Sequence, residues 1–203
     1  MDRQIASIDL QLPERWRVWR PGDGPRAARR AADELASGPV AGARLRAAVE
    51  AVDRAVLDLH TRHVRAGVWV PEPTGDVAAS LACELLAESP EGPDAADTYL
   101  GRVRRKVYRS RRTTTRIAHH AASRSQVPAG AAVVALRSEG AARHEVVWTV
   151  FPPGARQAVQ LRFDTRGSQR YPELLRHAES IATGMRVRFT APARASAVAG
   201  PER

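Results

Sequence analysis

The sequence predicts an α+β fold, a mostly antiparallel β-sheet packed with α-helices, and three stretches carry that prediction. In the first, Val146, Trp148 and Val150 alternate with Val147, Thr149 and Phe151. Pro152-Pro153-Gly154 breaks the run, and Val159, Leu161 and Phe163 then alternate with Gln160, Arg162 and Asp164. This is a strand, a turn and a second strand with one apolar face. In the second, after Thr165, the period changes from two to about 3.6. Tyr171, Leu174, Ala178, Ile181 and Met185 fall on one side of a helix with Pro172 near its start and Gly184 near its end. The third is the stripe Leu45, Val49, Val52, Val56, Leu59 and His63, which predicts a helix from Ala43 to about Arg65.

The remaining elements follow in chain order. Ile8, Leu10 and Leu12 alternate with Asp9 and Gln11 and stop at Pro13, a first strand. Trp16 and Trp19 sit on a short basic turn after it, Pro21 to Pro25 is a loop, and Arg26 to Ala36 is a short helix. Val68 to Val70 is a short strand. Beyond the turn at Pro71 to Asp76, Val77, Ala79, Leu81, Cys83 and Leu85 alternate with smaller and polar residues as a half-buried strand, Cys83 on its apolar side. A helix from Asp94 to about Tyr108 aligns Ala96, Tyr99, Leu100, Val103 and Val107. Arg111 to Ala118 reads as a strand from its threonines, Ala118 to Gln126 takes no assignment, and Ala131 to Leu136 is a strand leading into the hairpin. Met185 to Phe189 ends the pattern as a last strand. A chain of 203 residues suits one core, expected over 1–190, with an alanine-, proline- and glycine-rich flexible tail over 191–203.

Composition narrows the function classes. Cys83 is the sole cysteine, so neither an internal disulfide nor a cysteine-based zinc site can form. No apolar run approaches a membrane span and none follows Met1, so a cytoplasmic setting is expected. The formal charge is +10, and eight cations, Arg102, Arg104, Arg105, Lys106, Arg109, Arg111, Arg112 and Arg116, lie in one run with no acidic residue. The rest of the chain is thus nearly balanced.

Several of these segments resemble a known family. His144 to Gly154, Ala158 to Thr165 and Leu174 to Met185 are similar to the C-terminal half of actinobacterial PsbP-like proteins. There a strand ends in a proline turn, the next ends in Phe-x-Thr, and a helix ends in Ile-Ala-x-Gly or Ile-Ala-x-Thr. Ile8 to Trp16, ending in Leu-Pro-Glu-Arg-Trp, resembles the family's first strand and turn. The resemblance covers about half of the chain. It implies an α/β sandwich shared with the extrinsic photosystem II protein, a yeast Ran-binding import factor, mycobacterial lipoproteins, and adaptor chaperones for secreted effectors. The implied theme is binding to another macromolecule; the lipobox cysteine of the lipoprotein branch is missing.

The candidate sites divide along the same lines. Trp19 and Trp69 fall opposite the apolar alternation of their strands, which suits either a protein-binding contact or a second packed face. The run Arg102 to Arg116 could grip nucleic acid or another anionic surface, with Tyr99 and Tyr108 to stack on bases, or could be a solvated helix end and edge strand. His60 and His63 with Asp58 supply too few ligands for a metal, and His119-His120 reads as a surface pair. No motif of a hydrolase, phosphate-binding loop or metalloprotease is present, and Asp9, Glu84 and Asp164 fall on polar strand faces where exposure is expected. The expectation is a non-enzymatic domain without metal or cofactor that binds another protein as an adaptor or chaperone, with anion binding through the basic run as the alternative and an enzyme with an unrecognised site as the third reading.

Overall fold

The computed structural model describes residues 3–59, 62–86, 94–110, 117–140 and 142–190. The 111–116 part of the basic run and the expected tail at 191–203 lie outside them. The elements are β1 (Ile5–Asp9), β2 (Trp16–Trp19), α1 (Gly24–Leu35), α2 (Gly38–Leu57), β3 (His63–Trp69), β4 (Ala79–Leu86), α3 (Ala95–Ser110), β5 (Ile117–Val127), β6 (Gly130–Glu139), β7 (Arg143–Phe151), β8 (Ala158–Arg166), α4 (Tyr171–Gly184) and β9 (Arg186–Phe189). Seven strands form one antiparallel sheet in the order β2-β3-β4-β8-β7-β6-β5, and β1 pairs with β9 in a separate two-stranded ribbon. The fold is α+β with a mostly antiparallel sheet, as the sequence predicts.

Alternation along the strands sends side chains to two faces. One face carries Leu81, Cys83 and Leu85 of β4, Val146, Trp148 and Val150 of β7, and Val159, Leu161 and Phe163 of β8. These meet Leu174, Ala178 and Ile181 of α4, with Ile5 and Ile8 of β1 closing the edge. Pro172 stands in the first turn of α4, where its missing N–H is no loss; α1 and α2 begin with Pro25 and Pro39 in the same way. On the opposite face α1 and α2 pack Ala28, Leu35, Leu45, Val49 and Val56 against Ala66 and Val68 of β3, while α3 packs Val103 onto Ala135 and Val147.

Several elements differ in extent from the sequence reading, among them the first strand, at Ile5–Asp9 instead of Ile8 to Leu12, and β3, which is longer than Val68 to Val70. α2 begins at Gly38 and stops at Leu57, although the apolar spacing runs on to His63. Leu59 is exposed beyond the helix, and His63 opens β3, where its Nε2 lies 3.8 Å from the Glu84 carboxylate. Trp16 to Trp19 is a strand, not a turn. The sheet's far edge is β5 at Ile117–Val127, the segment that took no assignment, because a strand with one neighbour and one wet face shows no clean alternation.

All four tryptophans are core, which corrects the expectation of an exposed pair. Trp69 is 2% exposed and stacks on Trp16 with ring centroids 6.4 Å apart. Phe163 meets Trp16 edge-on, and the His177 ring stands over Trp69 at 4.7 Å. Trp19 faces the other way and is 7% exposed beneath α1 and α2. Its indole N–H donates to Asp53 Oδ1 over 2.7 Å, and the Gly22 N–H donates to the same carboxylate. A Cβ on Gly24 would approach Asp53 Oδ2 to 2.6 Å, so the glycine is what admits the carboxylate there.

Two predictions follow from these buried polar contacts. Asp53→Ala leaves the Trp19 indole N–H and the Gly22 N–H unpartnered beneath α1, and should cost about 2 kcal/mol in urea unfolding. His177 accepts the Trp16 indole N–H on Nδ1 over 3.1 Å, which requires that nitrogen unprotonated. Burial, assisted by Arg176 and opposed by Glu173, holds the ring below its ordinary value of 6.5. A depressed histidine contributes stability that is complete above 6.5 and is lost as pH falls towards its folded value, because the unfolded chain takes the proton first. Urea midpoints should therefore drop below pH 6.5, and His177→Gln, which keeps an acceptor without a titration, should flatten part of that fall.

Candidate functional site

The polar side of the sheet is organised by β8, the fourth of seven strands. Its Val159, Leu161 and Phe163 face α4, so Gln160, Arg162 and Asp164 face the other way. On that face α2 stands over β3 and α3 over β5 and β6, which leaves β4 and β8 between the two helices.

Register places polar groups in rows across the strands. Ser80, Asp164, Glu145, Arg137 and His119 stand opposite one another on β4, β8, β7, β6 and β5. Ser80 Oγ donates to Asp164 Oδ2 over 2.6 Å, and Arg137 pairs with Glu145 at 2.8 Å. Arg143 reaches Asp164, Glu145 and Glu139 at 3.3, 3.5 and 3.1 Å. Burial alone would lower the Arg143 pKa, but Asp164, Glu145 and Glu139 together hold it above its ordinary value. A second row holds Glu84, Gln160 and Thr149, with the Gln160 amide donating to Thr149 Oγ1 and to the Tyr99 hydroxyl. Between these rows lies Arg162, flanked by Ala82 and Val147 and followed by Ala135 and Ala122. Arg162 is half-buried and makes no hydrogen bond or ion pair among the described residues.

The second surface is cationic. Arg102, Arg104, Arg105, Lys106 and Arg109 are exposed on α3, whose other side buries Ala96, Leu100, Val103 and Val107. Arg102, Arg105 and Arg109 share one face at spacings of three and four. The helix runs against β5, which pairs only with β6 among the described residues. Exposed Tyr108 and Ile117 lie at the near ends of the two elements, and Arg124 of β5 pairs with Asp97 of α3. Burial, then Arg137, Lys106 and His120, hold the His119 ring below its ordinary value, so this seam stays free of extra positive charge at neutral pH.

Sequence reasoning placed some of these groups and misplaced others. The exposed arginines and Lys106 of α3 were expected; Arg111, Arg112 and Arg116 fall outside the described residues. Tyr99 is turned inward onto Phe151 and Gln160, so it is no base-stacking platform. Glu84 and Asp164 are not the exposed carboxylates expected of them, at 13% and 22% of their side-chain surface; Asp9 is exposed beside Arg188. Cys83 is fully buried and its thiol is pushed up to about 12, which denies it a thiolate at neutral pH. His60 lies outside the described residues, and no cluster of three or more metal-ligating side chains occurs among them. The Arg162 surroundings were missed. Their one signal is the Gln160, Arg162, Asp164 alternation, which reads as a wet edge until β8 is known to be central.

Among the described residues no helix is long and apolar enough to cross a membrane. No family model matches this chain, nor does any curated protein. Among solved structures the chain is similar to LpqN of Mycobacterium tuberculosis, a protein involved in cell envelope biogenesis. The TM-score is 0.47 at 15% identity, over 89% of this chain and 83% of that one. It is also similar to the cyanobacterial PsbP of Synechocystis, with a TM-score of 0.43 at 10% identity, over 91% of this chain and 94% of that one. Likeness at that level is a resemblance of arrangement and assigns neither protein's role to this chain.

Proposed function

We propose that the chain is a non-enzymatic binding domain that receives an acidic, extended segment of another protein along β5 and the adjoining face of α3, as an adaptor or chaperone would. The observation that carries this reading is the placement of five exposed cations beside an eleven-residue strand that pairs with β6 alone among the described residues. A strand edge supplies main-chain donors and acceptors to any extended peptide, whereas flanking side chains choose among peptides. Here the chooser is positive, so acidic residues in the guest are favoured. Tyr108 and Ile117, 58% and 43% exposed, offer it apolar anchors at one end.

Nucleic acid is the second reading, since the same cations could neutralise phosphates. The inward turn of Tyr99 removes one of the two rings that would have stacked on bases and favours the peptide. Neither reading includes a catalytic step.

Fluorescence anisotropy with an acidic β-prone dodecapeptide, a neutral analogue and a single-stranded oligonucleotide separates the two. The acidic peptide should bind and should protect β5 amides from hydrogen exchange. Arg102→Glu, Arg105→Glu and Arg109→Glu together should weaken it about tenfold, as three exposed ion pairs of ~0.5 kcal/mol imply. Tighter binding of the oligonucleotide, with no protection of β5, would transfer the surface to nucleic acid.

A further inference from the structure

The end of the sheet remote from β5 carries a second concentration of positive charge, and there it surrounds a hollow. β2 stands at that end of the strand order. Arg17 shares a pleat face with Trp19, the face that α1 covers. Arg26 and Arg30 stand one turn apart on α1, and Arg20 leads out of β2 into the turn before the helix. All four arginines line one cleft of about 290 Å³. The residues between them, Val18, Ala27 and Ala31, are short, so the arginines form its walls.

Two of these arginines are tethered and two are not. Glu34, which lies outside the cleft, pairs with Arg17 and, at 3.7 Å, with Arg30. Arg20 and Arg26 are exposed and make no hydrogen bond or ion pair among the described residues. Asp23 is the one carboxylate in the lining. Set against it and Glu34, the four arginines leave a surplus of two positive charges. The first turn of α1 holds no acidic residue, so the positive end of the helix dipole adds to that surplus.

We propose that this cleft binds a phosphomonoester, either on a small soluble molecule or as the terminal phosphate of a lipid headgroup, held between the Arg20 and Arg26 guanidiniums. Charge and shape select the ligand. A phosphomonoester carries close to two negative charges at neutral pH and presents three acceptor oxygens, which match the surplus of the cleft. Two guanidinium forks can share those oxygens. A carboxylate or a phosphodiester brings a single charge and leaves one of the two untethered arginines unanswered. The cleft is remote in the strand order from the α3 and β5 surface, and the two sites can fail independently.

NMR titration of the full chain at neutral pH with glycerol 3-phosphate and with dimethyl phosphate tests the assignment, read on the indole N–H of Trp19, which lines the same cleft. Glycerol 3-phosphate should shift that signal saturably, and dimethyl phosphate, a monoanion, should bind about tenfold more weakly. Arg20→Gln and Arg26→Gln should each weaken glycerol 3-phosphate about tenfold without lowering the thermal midpoint, because neither side chain has a partner to lose. Arg29→Gln removes the same charge from an exposed position of α1 outside the cleft and should leave affinity nearly unchanged. The triple substitution on α3 should do the same. Flotation with phosphatidylcholine vesicles containing phosphatidate or phosphatidylglycerol identifies the source. Capture by phosphatidate alone, abolished by Arg20→Gln, assigns the phosphate to a lipid; a glycerol 3-phosphate response without such capture assigns it to a soluble molecule. The proposal is overturned if neither glycerol 3-phosphate nor phosphatidate binds, if the diester matches the monoester, or if Arg29→Gln weakens binding as much as Arg20→Gln.

Discussion

The pleat register of β8 is the constraint on which the rest depends. Val159, Leu161 and Phe163 must meet α4, and a slip of one residue would turn Gln160, Arg162 and Asp164 into that core instead. β8 is also the joint of the sheet, pairing with β4 on one side and β7 on the other. The long hairpin of the second half is thereby attached to the strands of the first half. Because α4 follows β8 after a short turn and covers its apolar face, the strongest hydrophobic surface is buried by sequence-local packing. The opposite face is then left to helices from elsewhere in the chain.

Those helices cover different strands. α2 arrives from the β3 side and α3 from the β5 side, and each buries its own apolar stripe before reaching β8. The strip between them is polar, and its buried groups largely find partners, Arg137 Nε being left without one. Arg143 and Arg137 pair with Glu145, Asp164 and Glu139. Charge in the protein is consequently of two kinds. Around the central strands it is, Arg162 apart, paired, short-ranged and little screened; on α3 it is single-signed, exposed and sensitive to salt.

What the sequence disclosed reflects the range of the interactions involved. The β7, β8 and α4 pattern was legible because each of these elements buries one face against the next, and alternation records that directly. Trp69 was misread because it lies on the α4 face beside Trp16, and Trp19 because a residue off the apolar alternation looks exposed only when a sheet has one covered face. Here α1 and α2 cover the second face, a fact set by residues far along the chain. β5 lacked a pattern because it is an edge with His120, Ser123, Arg124 and Gln126 largely turned to solvent. Arg162 was visible as a residue, but its isolation follows from the strand order, which no local window contains.

The ribbon of β1 and β9 has a consequence for the order in which the chain becomes a protein. Thr190 closes on the Gln4 carbonyl from 186 positions away, and Arg3 lies over the Phe189 ring. Ile5 and Ile8, made long before β9, thus have no partner strand until it has been synthesised. At about 5–20 residues per second that interval is roughly ten to forty seconds. Until then the nascent chain must keep those two isoleucines from other apolar surfaces. β9 completes the ribbon that β1 begins.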